Sequence, residues 1–288
     1  MDRANGNDGN DGQSFDTAMK TIDAAIDKCE EYRNNAIVLQ GRVTTGQQFV
    51  ALQTIDIQGI HLLGAGALFG FGGGRDSCFV SPQAAGDVAG AQGVTSKGGL
   101  ALTDDDIEVA GLRFYGPDVT QLQTHIITGD SKPRDVSIHD NIFQGDVSGA
   151  GEQSGIQLSG IECGYVGFNY FYFTEYGLVM RSASTRYNTG VLVEENIFRS
   201  NKYGINLKAE ACLNYLRKNR VLVEGAVGYG WALTQGLLMD ALANDNLIED
   251  MYVMHATKGN AYTDNGSNNV LQNCTYGVTS GTLVTYSA

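Results

Sequence analysis

Apolar residues along this chain change their period once. Through "SFDTAMKTIDAAIDKCEEY" they recur every three or four residues, at Phe15, Met19, Ile22, Ala25, Ile26 and Cys29. That spacing puts one apolar face on an amphipathic helix over 15–33. Ser14 is placed to cap it, Asp16 lies in its first turn, and Asn34 and Asn35 are placed to end it. From residue 36 the alternation shortens to apolar, polar, apolar, in runs broken by turn residues, which is the pattern of strands.

The strand-like part repeats. Asn141 lies in "VSIHDNIF", Asn169 in "YVGFNYF", Asn196 in "LVEENIF", Asn219 in "NYLRKNRV", Asn246 in "ALANDNLI" and Asn273 in "NVLQNCT". Successive steps are 28, 27, 23, 27 and 27 residues. Three residues before each Asn stands an apolar residue: Ile138, Val166, Val193, Leu216, Ala243 and Val270. Two after stands another in all but the last: Phe143, Phe171, Phe198, Val221 and Ile248. Upstream, "IDIQGIHLLG" and "IEVAGLRFYG" carry the same spacing with Ile60 and Leu112 in the Asn place, 52 residues apart, which reads as two further periods. A second phrase of glycine, apolar, any, apolar starts at Gly99, Gly155, Gly177, Gly204 and Gly230.

A period near 27 is too short for a four-stranded propeller blade, and a leucine-rich consensus is absent. It fits a coil of two or three strands, each paired with its equivalent one coil away. The fold predicted is all-β: a right-handed, single-stranded parallel β-helix over 36–288, with 1–35 supplying a turn segment and a capping helix, one structural domain in all. Each Asn then sits at a bend and points inward, where its amide both donates and accepts, so that Asn141, Asn169, Asn196, Asn219, Asn246 and Asn273 stack as a ladder. The helix covers the edges that a solenoid exposes at its start. The last strands or a partner close the other end.

Composition narrows the function. The chain has 288 residues, 38 glycines and 3 prolines, and its net charge of −13 disfavours binding to a phosphate backbone. No run of 18 apolar residues suggests a membrane span, and "MDRANGNDGNDG" has no apolar leader core. Cys29, Cys78, Cys163, Cys212 and Cys274 are widely spaced and never paired as CxxC, which reads as buried free thiols rather than a zinc site or a disulfide framework. "NGNDGNDG" lacks the closing Glu of a calcium loop and reads as a string of turns.

The coil length and its asparagines resemble the right-handed parallel β-helix proteins of the pectate-lyase-like superfamily. Within that group, "GNDGNDGQSFDTAMKTIDAAIDKC" followed by "NAIVLQGRV" is similar to the opening of β-helix proteins carried by tailed bacteriophages. The resemblance implies a virion component, assembled in the host cytoplasm: a head decoration or tail-associated protein, homotrimeric, with capsid or tail proteins and a host-surface glycan as partners. It also implies, as the alternative, a tailspike-type polysaccharide lyase or hydrolase, or a non-catalytic glycan-binding module.

The short motifs "NTD", "GHG" and "RIK" that mark the superfamily's hydrolases are absent, and no cofactor, metal site or catalytic residue is assigned. Asp104, Asp105 and Asp106, with Glu108 and Arg113 nearby, form an acidic cluster that reads first as a solvated corner and only secondarily as an acid/base pair. His61, His125, His139 and His255 fall in different coils without ligand spacing. The richest surface is "YVGFNYFYFTEYG", where Tyr170 and Tyr172 face outward around an inward Phe171, flanked by Tyr165 and Tyr176. Such tyrosines suit a subunit interface or a glycan groove. On sequence alone the non-enzymatic virion role is favoured.

Overall fold

The computed structural model describes residues 1–2, 5–39, 52–65, 78–80, 86–89, 95–115, 124–128, 132–145, 154–181, 187–199, 201–208, 210–222, 234–255, 258–277 and 283–286. Apart from Gly86–Ala89, which pairs antiparallel with Thr95–Leu102, their strands form three long sheets and pair in parallel with their equivalents in the neighbouring coils. The first sheet runs from Asn35–Leu39 to Val270–Gln272 and the third from Gln53–Ile55 to Tyr262–Asp264. The second runs from Cys78–Val80 to Cys274–Gly277, where Leu283–Tyr286 turns back antiparallel and covers its last edge. The chain is an all-β parallel solenoid of about 27 residues per coil with very little helix.

The inside of each coil follows from the alternation of its short strands. Ile138, Val166, Val193, Leu216, Ile248 and Leu271 are register partners inside the first sheet, and all are buried. Inside the second sheet Phe114, Phe143, Phe171 and Phe198 stack face to face, with centroids 4.9, 4.8 and 4.7 Å apart. That separation is the spacing of hydrogen-bonded strands, so the backbone ladder sets the aromatic one. The stack explains the glycine phrase. A Cβ on Gly177 would lie 2.2 Å from Cδ1 of Phe198, and one on Gly155 would lie 2.5 Å from Cδ1 of Phe171. The next glycine of this column is Gly236, paired in register beside Gly204. Gly230 of the sequence phrase lies outside the described residues.

The structure divides the six asparagines. Asn141, Asn169, Asn196 and Asn219 lie at the bend between the first and second sheets. The side-chain amides of Asn141, Asn169 and Asn196 each donate from Nδ2 to Oδ1 of the next, at 3.2, 3.0 and 3.0 Å. Asn246 belongs to a second ladder at the bend before the first sheet: Asn214 donates to Asn246 and Asn246 to Asn269, both at 3.0 Å. Asn273 belongs to neither; it is exposed, with a left-handed backbone (φ 53°). The reason is coil length. Leu216 pairs with Ile248, 32 residues on, so the coil after Asn219 is longer than the average and the next equivalent of Asn219 is Met251. Ile248 therefore lies inside the first sheet rather than the second, and Val270 is half exposed. Likewise Leu62 pairs with Val109 directly, so the two upstream phrases are neighbours across one long coil and not two periods apart. Surface connections lengthen at small entropic cost, whereas register cannot slip by one without inverting the core.

The helix is also shorter than its apolar period. It spans Ile22–Ile26, capped by Thr21, whose side chain accepts from the amide of Ala24. Residues 17–19 are held by backbone bonds to the first twelve residues instead: Gly12 N to Thr17 O, Asn7 N to Ala18 O, and Asp2 N to Met19 O. Asp8 accepts from the amides of Lys20 and Thr21, both at 2.8 Å. Ser14 bonds Thr17 in a turn and caps no helix. Ile22 and Ile26 still join the buried core at its first end, where the helix packs on the strands Asn35–Leu39 and Gln53–Ile55.

The thiols differ as well. Cys274 is buried, Cys29 and Cys212 are half-buried, and Cys163 is exposed; all four are free. The side chain of Cys78 lies outside the described residues.

Candidate functional site

The outward positions of the second sheet are the residues that follow each bend. Successive strands present Arg113, Ile142, Tyr170, Ile197, Arg220 and Tyr252 in one row, with Gln144, Tyr172 and Arg199 in the next. All of these except Gln144 floor a cleft of about 1350 Å³, whose rim is the bend itself: Asp140, Phe168, Glu195, Lys218 and Asp250. Every one of those five rim residues has a positive φ between 51° and 55°. The left-handed kink turns each rim side chain outward while its neighbour, a ladder Asn or Met251, turns inward.

Polar groups in the cleft are organised around two phenols. The Tyr172 hydroxyl donates to Gln144 Oε1 and accepts from Arg113 Nη2 at 2.9 Å. Gln144 Oε1 also accepts from Arg113 Nη2, which closes a three-residue cycle. Arg113 Nε is buried there without a partner. The Tyr170 hydroxyl accepts from Arg199 Nη1 at 2.9 Å. The two rings lie 5.6 Å apart, tilted by 56°. Lys218 Nζ stands 3.8 Å from Glu195 Oε1 on the rim, a loose and solvated pair. The cleft sets Arg113, Arg199, Lys218 and Arg220 against Asp140, Glu195 and Asp250, a near-balanced lining in a chain of net charge −13. Tyrosine faces stack on sugar rings, and guanidinium groups bind carboxylate or sulfate in a fixed fork.

The four candidate tyrosines are distributed over three sheets. Tyr170 and Tyr172 line the cleft. Tyr165 is on the outside of the first sheet, where burial, and then Glu194, push its phenol up to about 12. Tyr176 lies on the third sheet, stacked on Tyr203 at 4.8 Å. The acidic cluster forms a turn and does not reach the cleft. Asp104 Oδ1 accepts from Asp105 N, Asp105 Oδ1 accepts from Arg134 N at 2.7 Å, and Asp106 accepts from Gln58.

His61 and His139 share Glu108 on the outside of the first sheet, at 2.5 and 2.8 Å. Burial opposes ionisation of Glu108, but the bonds and charges of both histidines outweigh it and hold its carboxyl below the ordinary range. His139 Nδ1 also meets Asp140 Oδ2 at 2.8 Å, which ties this cluster to the rim of the cleft. His125 is fully buried between Phe114 and Phe143, in the column that later coils fill with glycine. Burial pulls it down to about 4. Among the described residues no three His, Cys, Asp or Glu side chains converge to hold a metal ion.

Sequence reading reached Tyr170 and Tyr172 but passed over Gln144, Arg199, Lys218 and Arg220. A signal exists for three of them: Gln144, Arg199 and Arg220 stand one or three places after a ladder Asn, where residues face out on the second sheet, whereas Lys218 precedes Asn219 on the rim.

The fold places the chain among the parallel β-solenoids. No protein-family model matches the chain, and no curated protein matches it. Among solved structures it is similar to an alginate lyase from Paenibacillus sp. str. FPU-7, with a TM-score of 0.50 and 13% identity, covering 87% of this chain and 91% of the lyase. At that identity the likeness is one of fold, and it extends over nearly the whole solenoid.

Proposed function

We propose that this chain binds an anionic polysaccharide in the cleft along its second sheet and depolymerises it. The observation that carries the reading is the pairing of Tyr170 with Arg199 and of Tyr172 with Arg113, on one open face of an otherwise acidic protein. The groove crosses successive coils, so an extended polymer lying along the solenoid axis meets a new row of side chains about every 4.8 Å. Guanidinium groups neutralise a sugar carboxylate, and a phenol is a competent proton-transfer group beside it. The fold's similarity to a polysaccharide lyase supports the same reading.

The test is incubation with acidic polysaccharides, namely alginate, polygalacturonate and acidic bacterial capsules, with neutral dextran as control. Absorbance of unsaturated products near the ultraviolet edge and new reducing ends are followed together. Cleavage or retardation of an acidic polymer alone is expected. Neither binding nor cleavage across the panel would overturn the proposal.

The second reading is the non-enzymatic, trimeric component of a tailed-phage particle, favoured by the opening residues "GNDGNDGQSFDTAMKTIDAAIDKC". Mass spectrometry of purified native particles tests it, and a native mass tests the trimer. The two readings meet in a tailspike-type depolymerase carried on a virion.

A further inference from the structure

We propose that the polymer taken by this cleft has a two-sugar repeat, one uronic acid and one uncharged sugar, and is not a chain charged on every unit. This rests on the polysaccharide reading of the cleft and narrows it. Coils stack about 4.8 Å apart, close to the length that one sugar adds to an extended chain. A polymer lying along the solenoid axis therefore meets each coil with about one sugar, and each coil offers one subsite.

The chemistry of these subsites alternates. Backbone bonds join the rim from one coil to the next: Asp140 N to Gly167 O, Phe168 N to Glu194 O, Glu195 N to Arg217 O and Lys218 N to Glu249 O. In that order the rim reads Asp140, Phe168, Glu195, Lys218 and Asp250, with a carboxylate in every second coil. The coils of Asp140 and Glu195 supply Ile142 and Ile197 to the floor, and that of Asp250 supplies Tyr252.

Cations gather in the coils between. Lys218 and Arg220 come from one coil and are both exposed. The register neighbours of Arg220 are Ile197 and Tyr252, so no carboxylate adjoins it in its row. Lys218 Nζ lies 3.8 Å from Glu195, a pair loose enough for both groups to turn to a ligand. The coil of Phe168 and Tyr170 supplies no cation to the cleft, but two guanidinium groups reach into it. Arg199 donates back to the Tyr170 hydroxyl and Arg113 donates to the Tyr172 hydroxyl from the opposite side, each at 2.9 Å.

Each kind of coil suits a different sugar. A rim carboxylate accepts hydrogen bonds from sugar hydroxyls, and an isoleucine floor beds the C–H face of an uncharged ring. A uronate in the same place meets a like charge above a floor that cannot hydrate it. Guanidinium and ammonium groups in the intervening coils take the sugar carboxylate. Two coils, about 10 Å, hold one disaccharide, and selectivity comes from the repulsive coils as much as from the attractive ones.

The experiment measures binding by affinity electrophoresis and titration calorimetry at one ionic strength. Its probes are hyaluronan and unsulfated chondroitin, which alternate a uronic acid with an uncharged sugar; polygalacturonate and alginate, charged on every unit; and uncharged dextran. An alternating polymer is expected to bind about tenfold or more tighter than either fully charged one. The triple variant Asp140→Asn, Glu195→Gln, Asp250→Asn, with circular dichroism and thermal midpoints as folding controls, is expected to hold polygalacturonate about tenfold tighter than the unmodified chain does. Arg220→Gln should weaken binding of the alternating polymer several-fold. With any acidic polymer bound, three results each overturn the alternation while the cleft reading stands: equal or tighter binding of polygalacturonate or alginate by the unmodified chain, a triple variant that holds polygalacturonate no better, or full retention of binding by Arg220→Gln. Failure of both the unmodified chain and the triple variant to hold any of these polymers overturns the cleft reading itself.

Discussion

Replacing Asn196 by Leu tests the inner ladder quantitatively. Asn196 Oδ1 accepts from both the backbone N and the Nδ2 of Asn169, each at 3.0 Å. Its Nδ2 donates to Val166 O and Asn219 Oδ1, at 2.9 and 3.0 Å. After the change, Asn219 Oδ1 keeps the Asn196 backbone amide and Asn169 Nδ2 keeps Ile138 O. The backbone N–H of Asn169 and one amide hydrogen of its side chain lose their acceptor in a buried site. At about 1–3 kcal/mol for each stranded donor, the expected loss is about 2–6 kcal/mol, a large part of the roughly 5–15 kcal/mol that holds a domain folded.

Asn141→Leu provides the internal comparison. Its Oδ1 serves the backbone N of Leu112, so a single donor is stranded and about half the cost is expected. Urea unfolding gives the two losses, and amide hydrogen exchange at Asn169 and Leu112 shows whether each is local, as nearest-neighbour coupling in a solenoid requires. A change of a few tenths of a kcal/mol for Asn196→Leu, or equal losses for the two variants, would refute the ladder as an energetic unit.

Gly177→Ala places a Cβ 2.2 Å from Phe198 and is expected to cost about 1–3 kcal/mol, with Phe198→Val recovering part of it in the double variant, as measured by thermal denaturation. His125 sets an acid limit. Its folded value of about 4 lies below the ordinary one of 6.5, so the unfolded chain binds the extra proton first. Stability contributed by the neutral ring is then full above pH 6.5 and is lost as pH falls toward 4, by up to about 3 kcal/mol. His125→Leu should flatten that limb of the stability–pH curve; an unchanged slope would show that His125 does not set it. Under native conditions an alkylating reagent should modify exposed Cys163 promptly and Cys274, whose thiol burial pushes up to about 11, only on unfolding. Equal labelling rates, followed by peptide mass spectrometry, would contradict the burial of Cys274.

The solenoid was legible because a parallel stack repeats its demands. Val166, Val193 and Leu216 are apolar for one reason three times over, and so are the phenylalanines beside them. Phase was not legible where a coil changes length. Asn246 follows Asn219 by the average period, yet belongs to another bend, because the longer coil displaces it five places from Met251. The helix was overread for a different reason. Period marks which residues face the core, but the bonds from Gly12, Asn7 and Asp2 to residues 17–19 are long-range and leave no local trace. At the cleft, outward tyrosines stood out, whereas Arg113, Arg199 and Arg220 are separated by whole coils and become neighbours only once the register is fixed.

The rim of the cleft has a consequence for how such a surface changes over time. Its column reads Gly111, Asp140, Phe168, Glu195, Lys218, Asp250 and Asn273, seven coils with the same left-handed backbone and six different residue types. Neither core volume nor sheet pairing selects the side chain there, and the ladder that holds the bend is built from the adjacent residue. The surface of the cleft and the folding of the coil are therefore written in neighbouring but separate columns of the chain. A substitution at a rim position thus changes what the cleft presents without touching the scaffold that presents it.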